Sequence, residues 1–101
     1  MILERIDHGA GDSYPEYSED GTVISVGGET FDAEELQSSG VTVKNIFRGS
    51  DFIANLFIPS PRFRVETAED EEGEIMYIRK KEPVDMQAVK LVLWELRKGA
   101  V

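Results

Sequence analysis

The stretch "DFIANLFIP", residues 51–59, constrains the fold more than any other part of the chain. Phe52, Ile53, Ala54, Leu56, Phe57 and Ile58 place apolar groups on both faces of an extended segment. A run of that length, bounded by turn residues, fits a central strand better than a helix. Pro59 and Pro61 cannot donate backbone hydrogen bonds, so the strand must stop there. The rest of the chain has to supply the strands around it.

Several segments qualify. "MILERID" opens as a strand, and residues 8–21, rich in Gly, Pro, Asp and Ser, read as a surface loop. In "TVISVGGETF", Val23 to Val26 and Glu29 to Phe31 flank Gly27-Gly28, a pair able to supply the positive φ of a tight hairpin turn. Asp32 then opens one or two helical turns by accepting the Glu35 amide, with Glu34 and Glu35 in the first turn and Gly40 closing the segment. "VTVKNIFRG" alternates and then shifts phase at Ile46 and Phe47, which predicts a half-buried strand with a bend or bulge.

Residues 62–67 and 74–79 read as two further strands around an acidic tip at 68–73, with Phe63 and Val65 pointing inward. The last segment, residues 84–98, carries Met86, Val89, Leu93 and Leu96 at helical spacing, Asp85 before the first turn, and Arg97, Lys98 and Gly99 at the end. These elements predict an α+β fold. A small antiparallel sheet of five to six strands would carry a short helix after the first hairpin and a C-terminal amphipathic helix packed on one face.

At 101 residues the chain has room for one domain with one modest core. It contains no cysteine, so disulfides, thiolate metal sites and cysteine nucleophiles are excluded. The net charge of −9 is unevenly placed. Residues 1–40 hold ten acids and one base, Arg5, whereas residues 41–101 hold ten of each. An acidic N-terminal face argues against contact with the outside of a nucleic acid, which needs Lys and Arg clusters, and suits a basic protein partner or solubility alone. No stretch is long and apolar enough for a signal peptide or a membrane span, so the expected location is a cytoplasm.

Candidate chemistry is sparse. "HGAGDS" raises Ser13 as a nucleophile, but the only histidine, His8, lies five residues away in the same loop. The chain is too short for the hydrolase folds that use such a serine, and Ser13 is followed by Tyr14-Pro15 rather than by the glycine of a nucleophile elbow. No catalytic residue is assigned. Asp12, Glu16, Glu19 and Asp20 lack the spacing of a calcium loop, and the acidic run 69–72 reads as a solvated tip, so no metal and no cofactor is expected. The residues chosen as candidate partner contacts are Asp12, Tyr14, Glu16, Tyr17 and Trp94. The tyrosines give contact area at low entropic cost, unless they fold back on the sheet, and Trp94 lies off the centre of the helical face, where it caps the core edge or faces a partner.

Three blocks, "IDHGAGDSYPEY" with the "TVISVGGETFD" hairpin, "FIANLFIPSPRF" and "PVDMQAVKLVLWEL", together resemble a family of small proteins carried by Mu-like bacteriophages and related prophages. That resemblance implies a tail-associated structural or assembly component, made in the host cytoplasm or carried on the virion, with no enzymatic activity. It predicts a protein partner or self-association. The charge distribution supports a different expectation, an acidic inhibitor or decoy that covers a basic surface on a host protein.

Overall fold

A computed structural model describes residues 1–7 and 13–96 of the chain. Its described elements are β1 (Ile2–Ile6), β2 (Tyr17–Asp20), β3 (Val23–Val26), β4 (Glu29–Asp32), α1 (Ala33–Ser38), β5 (Val43–Arg48), β6 (Asp51–Phe57), β7 (Phe63–Glu69), β8 (Ile75–Lys81), a 3-10 turn (Met86–Ala88) and β9 (Lys90–Trp94). The nine strands form three sheets, ordered β1-β9-β6-β5, β2-β3-β4 and β7-β8. The fold is mostly β, not α+β.

The C-terminal helix expected at 84–98 is overturned. Asp85 caps only the 3-10 turn, accepting the Gln87 amide, and the chain then extends into β9. β9 is an inner strand that pairs parallel to β1 and antiparallel to β6. Leu91 and Leu93 turn to one side and Val92 and Trp94 to the other, and the two ladders outweigh a helical period four side chains long. The expected single antiparallel sheet is corrected with it, since β1 joins the larger sheet in parallel. Within the expected loop 8–21, Tyr17–Asp20 is a strand, while residues 8–12 lie outside the described residues.

Local signals elsewhere explain the elements they precede. Gly27 and Gly28, at φ of 57° and 90°, turn β3 into β4. Asp32 Oδ1 accepts the Glu34 amide, one residue earlier than expected, together with the Thr22 hydroxyl, and so starts α1. The register of β5 on β6 shifts between Ile46 and Phe47, where the sequence changes phase.

The core lies between the four-stranded and three-stranded sheets. Ile24 and Val26 of β3 meet Ile46, Ile53, Ala54 and Leu56 of β5 and β6 and Leu91 and Leu93 of β9. Ala33 of α1, with Val84 and Val89, closes its side. The third sheet, β7-β8, takes no part in this core: it is a two-stranded arm whose seven-residue strands pair with each other. The molecule is accordingly elongated, 69 × 21 × 20 Å.

Candidate functional site

The arm leaves the body between prolines. Pro59 and Pro61 precede β7 and Pro83 follows β8, fixing φ where the chain enters and leaves. The Glu82 amide donates to the Arg62 carbonyl, closing the base of the ladder. Glu34 of α1 clamps the exit: its carboxylate accepts the Lys81 ammonium and, at 2.6 Å, the Val84 amide. The Lys81 hydrogen bond, followed by that of Val84, holds the Glu34 carboxyl below the usual carboxylate range. Beside the clamp is a cleft of about 400 Å³, lined by the prolines, Gln37, Glu82 and Asp85. Gln37 is buried; its Nε2 donates to the Pro59 carbonyl and its Oε1 has no partner.

Register fixes what each face of the arm presents. Phe63, Val65, Ile75 and Tyr77 share one face, because Phe63 opposes Lys81, Val65 opposes Arg79, Thr67 opposes Tyr77 and Glu69 opposes Ile75. Ala68, Met76 and Ile78 share the other, beside Glu66, which accepts both Arg64 and Lys80. The hydrogen bond from Lys80 leads in lowering the Glu66 carboxyl. The Arg79 guanidinium lies 3.9 Å above the Phe63 ring. At the tip, Asp70 Oδ1 accepts the Glu72 and Glu74 amides, so this carboxylate closes the turn. The expectation that Phe63 and Val65 point into a core is overturned: Val65 is 66% exposed and Tyr77 is 77% exposed. Alternation showed that the arm has two different faces, and the body simply does not reach either.

A second exposed apolar surface is the outer face of the four-stranded sheet. Leu91 and Leu93 point into the core, so Lys90, Val92 and Trp94 point away from it, and register adds Ile2, Glu4 and Ile6 from β1 and Asn55 and Phe57 from β6. Val43 and Asn45 continue the rows on β5, and Phe47 pairs with Phe52 beyond the bulge. Ile2, Val43, Phe47, Phe52 and Phe57 are exposed there. Val92, though only 6% exposed, stands outside the core cluster, so its neighbours on this outer face are what cover it. A chain of side-chain bonds orders the face: Trp94 Nε1 donates to Asn55 Oδ1 at 2.8 Å, and Asn55 Nδ2 donates to Asn45 Oδ1 at 2.8 Å. Phe52 lies edge-on to Trp94 and Phe47 edge-on to Phe52, with centroids 5.4 and 5.7 Å apart.

Of the candidate contacts chosen from sequence, Tyr14, Glu16 and Tyr17 come together and Trp94 lies apart from them. Tyr14 is half-buried against the core with Arg5 over its ring, and with Pro15, Glu16, Tyr17 and Leu93 it lines a shallow hollow. Trp94 follows Leu93 in β9 and faces the opposite side of the sheet. Glu16 and Tyr17 are exposed where β2 begins, and the Glu16 carbonyl accepts the Gly27 amide. Asp12 lies outside the described residues, as does His8. Ser13 is exposed, and its carbonyl accepts the Leu96 amide. Among the described residues no group of three or more His, Asp or Glu side chains is placed to hold a metal ion, and no helix is long and apolar enough to cross a membrane.

Sequence reasoning missed Val65, Ile75 and Tyr77 on the arm, and Val43, Phe47 and Phe57 on the sheet. The signal for the second group was present: "DFIANLFIP" is apolar on both faces, and one of those faces is the solvent-facing one. Comparison with protein-family models, with curated proteins and with solved structures finds no match to this chain.

Proposed function

We propose that the protein is a non-enzymatic assembly component that works through protein contacts, in the phage or prophage setting that its sequence resemblance implies. The observation that carries this reading is the arm. An isolated two-stranded hairpin is at best marginally stable in water. This one extends from the body with Val65, Ile75 and Tyr77 in solvent, and exposed apolar patches on that scale mark sites of association. The test is a photo-crosslinking side chain in place of Tyr77 in producing cells. A specific protein adduct is expected, and a chain that crosslinks to no protein at all would refute the assignment.

A second reading, an acidic decoy for a basic host surface, has its own support. The three-stranded sheet, α1 and the segment leading into them carry Glu16, Glu19, Asp20, Glu29, Asp32, Glu34 and Glu35, with no base between residues 13 and 40. Binding by that surface would fall steeply with added salt, whereas docking through the apolar arm would persist. Reversing Glu19, Asp20 and Glu29 to Lys would abolish the first and spare the second.

A further inference from the structure

We infer that the partner of the arm is a second copy of this chain, and that the Phe63–Val65–Ile75–Tyr77 face of one copy lies on the outer face of the four-stranded sheet of another. The inference rests on the assembly reading above and names its partner. Three observations lead to it.

The first is geometric. Both surfaces are apolar and both are exposed on the same chain, yet the arm cannot cover its own sheet. Its base is fixed by Pro59, Pro61 and Pro83 and by the Glu34 clamp on Lys81 and Val84, and it extends along a molecule 69 Å long and about 20 Å across. Only another molecule can bring an arm to that face.

The second is electrostatic. The arm ends in Glu69, Asp70, Glu71, Glu72 and Glu74. The three-stranded sheet and α1 are acidic and would repel that tip. The outer face of the four-stranded sheet differs: its charged residues, Glu4 and Lys90, pair with each other at 3.0 Å, and Lys44 and Arg48 of β5 point to the opposite side of the sheet. The sheet that is apolar is therefore also the one that does not repel an acidic tip.

The third is area. With side chains of roughly 150–200 Å² each, the exposed fractions of the apolar residues on arm and face amount to on the order of 700–950 Å². Backbone and charged groups add to this, which brings one arm-on-face contact close to the ~1,200 Å² at which specific interfaces begin. An arm on one surface and its receptor on another make a heterologous contact. It closes into a reciprocal dimer or a ring, or continues as an open array, according to the rotation between copies.

The experiment is sedimentation of the full chain with two exposed-site variants, V65R/Y77R on the arm and F47E on the face, each checked by circular dichroism for an unchanged fold. The wild type is expected to self-associate, and each variant to associate at least about 30-fold more weakly. Mixing the two variants is expected to give a one-to-one pair, since one retains the face and the other the arm. Three results overturn the inference: a monomeric wild type, an arm variant that still associates, or a mixture that fails to pair, as arm-on-arm or face-on-face contact would give. A monomeric wild type whose position 77 still crosslinks to a different protein defeats the second copy and leaves the assembly reading standing. Self-association that survives both variants, with no adduct from position 77, defeats both.

Discussion

Leu91→Ala separates the observed strand from the helix that the sequence suggests. On a helical wheel at 100° per residue, Leu91 falls about 180° from the centre of the Met86, Val89, Leu93 and Leu96 face, so a helix there would leave it in solvent and the substitution would cost less than about 0.5 kcal/mol. In β9 it is 0% exposed, in register with Leu56 of β6 and Leu3 of β1, and part of the core cluster. Strands on both sides hold its surroundings in place, so the cavity left by the missing side chain cannot collapse. The cost is then about 3–4 kcal/mol, within the usual range for a buried leucine. With a urea slope of about 1–1.5 kcal/mol per molar for a chain this size, the unfolding midpoint falls by about 2–4 M at unchanged slope. Urea titration followed by Trp94 fluorescence reads this directly. A loss below about 1 kcal/mol would refute the placement of β9 as an inner strand, and with it the two-faced sheet from which the docking surface is built.

Two glycines test the turn chemistry against packing. Gly21 and Gly27 share nearly the same φ, 61° and 57°, but a Cβ on Gly21 meets nothing within 4 Å, while one on Gly27 meets Ile53 Cδ1 at 2.7 Å. Gly21→Ala should cost about 1–2 kcal/mol from backbone strain alone, and Gly27→Ala about 1 kcal/mol more, because Ile53 must leave its preferred rotamer. Adding Ile53→Val, which removes Cδ1, should recover that difference, and additive costs in chemical denaturation would refute the contact. Glu34 sets a pH dependence. Its folded carboxyl is held low by Lys81 and then Val84, so its contribution is complete above the unfolded value and disappears as pH falls through the folded one. The side chain is 38% exposed, and solvent screening limits the cost of Glu34→Gln to about 1 kcal/mol at neutral pH. Wild type and variant melting temperatures should converge as pH falls from about 5 to about 3. A gap that widens toward acid would contradict the clamp.

The elements that sequence revealed are those closed by neighbours along the chain. The β3-β4 hairpin follows from Gly27 and Gly28 and the start of α1 from Asp32; the register shift falls at Ile46 and Phe47, where the sequence changes phase, but the extra residue is Ile53 of β6 rather than one of β5. The first two depend on backbone geometry that a few adjacent residues dictate. β9 depends instead on β1 and β6, partners far away in sequence, and nothing local records that pairing. Its four helix-spaced residues satisfy a period by coincidence, while the run Leu91-Val92-Leu93-Trp94 has the same two-faced character that marked β6 as a strand. The arm was legible as a hairpin and not as an arm, because alternation tells which residues share a face and not whether anything covers that face. Apart from Trp94, the candidate contacts were chosen from the stretch leading into β2, where tyrosines are conspicuous among acids, and Tyr14 proves to belong partly to the core.

The patterns of β6 and β9 bear on how the protein is used. A sheet with one face in water normally shows polar residues on that face. Here the outer positions of the two inner strands are Phe52, Asn55 and Phe57 in β6 and Lys90, Val92 and Trp94 in β9, and the asparagine is tied by hydrogen bonds to Trp94 and Asn45. These strands are built as though covered on both sides, yet the three-stranded sheet covers only one. Stability of the isolated chain does not account for the difference, since half-exposed Phe47 and Phe57 contribute less to it than buried residues do, and apolar area left in water favours association of the wrong kind as well as the right one. The ordered pairing of Trp94, Asn55 and Asn45 also fixes the face in one conformation before contact, which lowers the entropic cost of docking. A face prepared in this way, and an arm whose apolar residues have nothing to rest on, are two halves of one contact carried by a single sequence.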